Sequence, residues 1–346
     1  MAATTYGVND ALTVKKWAKE LEVEALKKTY FGKFIGTSAN SLIHKKTELK
    51  KGAGDKITFG LRMLATGDGV QGDGVLEGNE ESLTTYSDSV FVNQLRHAHR
   101  TGGRMSEQRV LFNMRSESRD SLSDWWADRM DTAFAKQLCG MSGTTDTRYT
   151  GNNSATSPTT TVYGGNATAE TGGGAIDSGD TMDLSVIDKA VEKARVQSPM
   201  IRPLKINGED VYVAFLHDYQ VRSIRTSTST GQWLDIQKSA MSGGDVSKNP
   251  IFTGALGMYN GVILHRWNRI QTPAANVYRG VLCGAQAVAL AYGSENDQSR
   301  FTWVEKEFDY GNQLGVSAGC IFGMKKIVFN SVDYGVVTMS TYGAAA

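Results

Sequence analysis

Apolar and polar residues follow a helical period most clearly between Met105 and Gly140, a stretch with no Gly or Pro before Gly140 itself. Leu122, Trp125, Trp126, Met130, Ala133, Phe134 and Leu138 recur at the three- and four-residue spacing of one helix face. Asp120, Asp124 and Asp128 stand four apart as a separate acidic row. Gly140 falls where a helix takes its left-handed stop. The spacing predicts one long helix over this stretch, the spine of the fold. Adjacent tryptophans cannot share a direction on a helix. One is expected on the protein's own sheet and the other against something lateral.

A second helical pattern covers Asn9–Lys28, with Val14, Trp17, Leu21 and Ala25 on one face. Its single sticky stripe either docks on a neighbour or folds back over its own domain. Residues 57–65 and Ser89–Leu95 read as strands. The segment joining them is rich in Gly and acid and has almost no large apolar residue. Two strands so joined make a long hairpin that leaves the body of the protein. Such an arm is marginal by itself and needs a partner surface, most simply another copy of the same chain. Residues 141–180 are dominated by Thr, Gly, Asn and Ser and read as a surface insertion with no core role. Further on, the pattern predicts a helix at Leu184–Val196 capped by Thr181 or Asp183, a strand at Val211–Leu216 and a helix at His217–Thr226. Strands are predicted at Val262–Trp267, Val281–Ala291 (a run also compatible with some helix), Phe301–Phe308, Gly319–Phe322, Lys325–Asn330 and Tyr334–Met339, with a turn at Val332–Asp333. The last group is expected to pack near the spine. The alternation is that of a mixed α/β chain.

Composition changes this picture little. The 346 residues carry a formal net charge of +1, so no basic excess marks a nucleic-acid binder. The 38 Gly against 5 Pro point to many turns and freely bending loops. Cys139, Cys283 and Cys320 lie far apart and form no metal or redox motif, so buried thiols are expected. The N-terminus lacks the basic and apolar regions of a secretion signal, and no apolar run is long enough to span a membrane. A soluble protein of a reducing cytoplasm is the expectation.

Candidate chemistry is sparse. Gly67, Gly69 and Gly72 spell GxGxxG after a strand, but no helix can open there, and Asp68, Asp73, Glu77, Glu80 and Glu81 repel phosphate. The same acids miss the ligand spacing of a calcium loop. His97 and His99 share one face of a strand, a metal pair with no third ligand in view. No nucleophile elbow or zinc-protease motif is present. Catalytic, cofactor-binding and metal residues are therefore expected to be none. Two function classes remain: a self-assembling structural protein, or an α/β enzyme whose site one sequence does not reveal.

The runs TTYGVNDALTVKKWAKELEVEALKKTYFGKFIG, GDGVQGDGVLEGNEE, LRHAHRTGGRMSEQR and DWWADRMD resemble the major capsid proteins of tailed bacteriophages, above all those of N4-like phages. The resemblance is strong over residues 4–140 and looser at PLKINGEDVYVAFLHDYQVRSIR and GMYNGVILHRWNRI. It implies an α+β chain with the HK-97-like capsid fold. The expected division is an N-terminal arm (1–50), an extended loop with flanking strands (51–104), a peripheral domain with the spine (105–197), an axial domain (198–292) and return strands (293–346). It also implies assembly as hexamers and pentamers, a scaffolding protein and portal during assembly, and packaged DNA on the inner face. A decoration protein on the shell is left open, and no membrane is involved. An arm beginning almost at Met1 implies either a separate scaffolding protein or a matured chain, and Met1 favours the former. The acids Asp68, Asp73, Glu77, Glu80 and Glu81 are expected to dock on a neighbour's cations, with Arg109, Arg115 and Arg119 as partners. Lys50, Lys51 and Asn79 do not match the context of the Lys–Asn cross-link that some members form, so that chemistry is not carried over.

Overall fold

The computed structural model describes residues 21–345, apart from 22–23, 26–27, 47–53, 64, 66, 112, 207, 228–254 and 294–300. The predicted first helix therefore lies largely outside the described residues. Within it, Leu21 and Ala25 are helical and buried in the main core.

Two sheets organise the chain. The six-stranded sheet runs β1 (Ile35–Gly36), β2 (Ile43–Lys46), β12 (Val288–Gly293), β14 (Gln313–Lys326) and β13 (Phe301–Phe308), with β5 (Asn93–Arg100) also paired to β14. The seven-stranded sheet runs β6 (Thr161–Tyr163), β17 (Val336–Tyr342), β11 (Val277–Cys283), β8 (Glu209–Leu216), β10 (Val262–Arg266) and β9 (Ala255–Tyr259), with β7 (Leu204–Ile206) beside β8. Two antiparallel pairs stand apart: β3 (Lys56–Arg62) with β4 (Thr85–Phe91), and β15 (Val328–Phe329) with β16 (Val332–Asp333). Aromatic rings close the space between sheets and spine. Phe31 sits 5.1 Å from Phe134, 5.1 Å from Phe215 and 4.6 Å from Trp267, edge-on or tilted as ring quadrupoles prefer.

The spine is shorter than its pattern. A helical turn, α1, covers Arg104–Gln108, and the long helix α2 covers Met114–Leu138. The chain breaks between them because Asn113 starts α2 afresh: its side chain accepts the N–H groups of Arg115 and Ser116. The far end matches expectation. Gly140 has φ +64°, its N–H reaches the Gln137 carbonyl, and the Met141 N–H reaches back to that of Lys136. These two bonds are a Schellman stop. The tryptophans differ in burial, but both lie against the six-stranded sheet, so the expected lateral partner of the second is a strand of the same subunit. Trp126 is fully buried, edge-on to Phe301 on the sheet, and Trp125 is half-buried and stacked on His97.

The later elements correct several expectations. Helix α3 (Leu184–Val196) is capped by Asp183, and α4 (Asp218–Thr226) by His217. The single strand read at 281–291 is two strands of different sheets, β11 and β12, because the chain crosses over at 284–287. The Gly319–Phe322 strand is part of the long β14. Val332–Asp333 is the strand β16, and the turn is Asn330–Ser331, both at positive φ. Strand β17 belongs to the seven-stranded sheet, and its Val336 reaches the core that this sheet shares with the spine.

The polar segment 141–180 lies at the surface for most of its length, but it does have a core role. Thr150, Asn153, Ala155, Thr160, Val162 and Asp180 are buried, and β6 is one of its strands. Its polar groups enter the core because each meets a partner. The Gln137 amide of the spine donates to the Thr150 and Asn153 carbonyls at 2.7 and 2.9 Å and accepts the Lys326 N–H at 3.1 Å. Arg279 grips Glu170 at 2.7 and 2.6 Å and donates to the Cys139 and Gly140 carbonyls at the spine's end.

Candidate self-assembly interface

The extended loop is built from β3 and β4. Alternation puts Ile57, Phe59 and Leu61 on one face, with Tyr86 and Val90 beside them, over Ala289, Ile327, Phe329 and Tyr334. The root of the hairpin is tied down by polar groups. Asn153 imitates a neighbouring strand by accepting the Phe91 N–H and donating to the Phe91 carbonyl, each at 2.9 Å. Asp88 pairs with Lys325 and accepts the Val328 N–H at 3.0 Å. Gly323 lets the Phe91 carbonyl approach so closely that a Cβ there would lie 1.9 Å from its oxygen. The buried part of 141–180 thus holds the loop at its base, a role its composition did not announce.

Beyond the seven residue pairs of β3 and β4, the chain from Gly67 to Thr84 has no regular structure and every residue is exposed. Asp68, Asp73, Glu77, Glu80 and Glu81 all lie here. The Glu81 carboxylate accepts the Gly67 N–H at 2.8 Å and Glu80 accepts that of Gly78 at 2.7 Å, so two acids shape the tip. Four apolar side chains are also exposed: Val70, Val75, Leu76 and Leu83. The charge pattern drew attention away from them.

The three arginines differ in their surroundings. Arg109 is exposed just past α1. Arg115 holds Glu305 through two nitrogens at 2.8 Å, and that buried carboxylate also accepts the Trp303 indole N–H at 2.7 Å. Arg119 pairs with Asp120 at 2.9 Å and Glu24 at 3.6 Å. Arg115 and Arg119 are thus engaged inside the subunit. The acidic row of the spine behaves likewise: Asp124 meets Lys28 at 2.8 Å and Asp128 meets Arg269 at 2.6 Å.

His97 and His99 share a face of β5, 5.3 Å apart. His97 stacks on Trp125 and His99 lies 3.2 Å from the Ser121 hydroxyl. Burial, His99 and Arg129 push the His97 pKa down. No group of three or more metal-ligating side chains occurs among the described residues. The three cysteines are buried and form no disulfide among the described residues.

A family model described as "Phage capsid protein" matches residues 5–345. The chain belongs to this phage capsid protein family. The major capsid protein of Pseudomonas phage KPP25 is 31% identical and the match covers 96% of this chain and 95% of that one. The capsid of Ralstonia phage GP4 superposes with a TM-score of 0.79 at 36% identity, covering 99% of both chains. A subunit of the cyanophage Pam1 capsid gives 0.75 at 21% identity over 93% of this chain, which speaks to the fold. The architecture is the mixed α+β HK-97-like capsid fold. This capsid protein is structural and not an enzyme, and it self-associates to form the phage head shell. The enzyme alternative is set aside. Its place is the virion.

Proposed function

We propose that the shell is icosahedral, built of hexamers and pentamers, and that each subunit's loop from Gly67 to Glu81 lies on a neighbouring subunit. The observation that carries this reading is the loop: a tethered hairpin root followed by a tip with no contact surface of its own. Five carboxylates without a base repel one another, so the tip docks on cationic groups. A single exposed pair contributes only about 0–1 kcal/mol, but repetition at every contact fixes register. Arg109 is the spine-proximal cation best placed to serve a neighbour; Arg115 cannot leave without stranding the buried Glu305.

The division into arm, extended loop, peripheral domain, axial domain and return strands belongs to the same proposal. The resemblance over residues 4–140 supports placing the protein with the N4-like phages. It also supports a scaffolding protein and a portal as assembly partners, a decoration protein as a candidate outer partner, and DNA held without sequence preference on the inner face.

Neutralising Asp68 and Asp73 to Asn, and Glu77, Glu80 and Glu81 to Gln, tests the central claim. The subunit should melt within a degree or two of the parent and assemble poorly, with the parent's assembly weakening as salt rises. Unimpaired assembly, or unfolding of the subunit itself, would remove the loop from the interface.

A further inference from the structure

We propose that a cavity beneath the β3–β4 pair is the seat for Leu76 of a second copy of this chain. This rests on the reading of the loop as an intersubunit element and names what receives it.

The cavity measures about 110 Å³ and is lined by Phe59 and Leu61 of β3, Phe329, Tyr334, and His44 and Lys46 of β2. Its floor is apolar and one wall is basic. Among the described residues no carboxylate lines it. A cavity of about 150 Å³ takes benzene, so this one suits a smaller hydrocarbon such as an isobutyl group. The loop tip offers the complementary surface. Leu76 is 60% exposed and stands between Asp73 and Glu77, in a stretch with acids and no base. A turn presents it: the Asn79 N–H reaches the Leu76 carbonyl at 3.0 Å and the Asn79 amide donates to the Val75 carbonyl at 2.9 Å. Val70 is less exposed at 38%, and Leu83 lies outside that turn. The subunit's own Leu76 is in solvent, so it does not fill the subunit's own cavity. An apolar knob ringed by acid fits an apolar socket walled by base. The copy that supplies the knob receives another in its own socket, and the contact propagates round a ring of heterologous interfaces.

Cysteines at Leu76 and Leu61 test this. Leu61 lines the cavity and shares with Phe59 the face of β3 that covers it, whereas a side chain at Gly60 would point to the opposite face. A disulfide forms only where Cβ atoms come within about 3.5–4.5 Å, and the native cysteines are buried. Shells of Leu76→Cys/Leu61→Cys protein, mildly oxidised, should give a ladder of covalent multimers on denaturing gels. Shells of either single variant should give none. Intact shells with no ladder, or a bond within one chain, would overturn the seat. The loop reading survives that result if acid neutralisation still impairs assembly, and the two failures are thereby distinguished. If the cysteine pair does not assemble, a photo-crosslinker at position 76 replaces it, in shells mixed from light and heavy-isotope protein. Light-to-heavy peptides containing residues 57–61 or 327–334 support the seat; cross-links elsewhere overturn it.

Discussion

Trp126 and Trp125 are neighbours in sequence with different energetic roles. Trp126 is fully buried against Phe301 and Phe322. Trp126→Ala should cost about 3–5 kcal/mol, read as a shift of the denaturant midpoint. Trp125→Ala should cost clearly less, because half of its ring is already wet and its partners are His97 and Arg129. His97 gives the subunit a pH dependence. Burial first, then His99 and Arg129, lower its folded-state pKa from an ordinary 6.5. The unfolded chain therefore binds more protons, so stability is full above 6.5 and falls as pH drops from there through the lowered value. His97→Gln should flatten the melting temperature between pH 7 and 5; an unchanged slope would assign the dependence to another group.

The elements show which parts of a sequence speak for themselves. Gly140 announced the end of the spine, and the structure gives the reason. Its φ is positive, and a Cβ would lie 2.7 Å from the Thr156 carbonyl oxygen. Gly140→Ala should destabilise by about 1–3 kcal/mol from backbone strain, with the clash added. Asn113→Ala should cost about 1 kcal/mol by removing the cap. Thermal melts of the two variants check both values. The break before Asn113 was not legible, because periodicity carried the eye across a five-residue gap that only capping geometry explains. The hairpin was legible from its two alternating strands around an acidic, Gly-rich run. The burial of 141–180 was not. Thr150 and Asn153 look like loop residues, and only their bonds to Gln137 and Phe91, far away in sequence, make them core. The apolar Leu76 and Val75 were overlooked because the acids around them dominated the pattern.

At the scale of the whole molecule, the chain's last strand belongs to a sheet begun much earlier. Strand β17 lies between β6 and β11, and Val336 packs in the core shared with the spine. Removing residues 336–346 should abolish soluble expression of the subunit, not trim it, since both neighbours of β17 lose their pairing. A soluble, cooperatively melting truncation would show the sheet to be self-sufficient without it. The six-stranded sheet has the same character: β5 pairs with β14 along eight residues, and Thr101 bonds Leu314 across 213 positions.

That long-range pairing sets a clock on production of the shell. A ribosome adding roughly 5–20 residues per second leaves β5 without its partner strand for about 10 to 40 s. During that interval the emerging chain has an open edge and no finished surface to offer a neighbour. A chain released early never acquires one. Translation to the end is thus a condition of entry, and aborted products are kept from seeding faulty shells by topology alone.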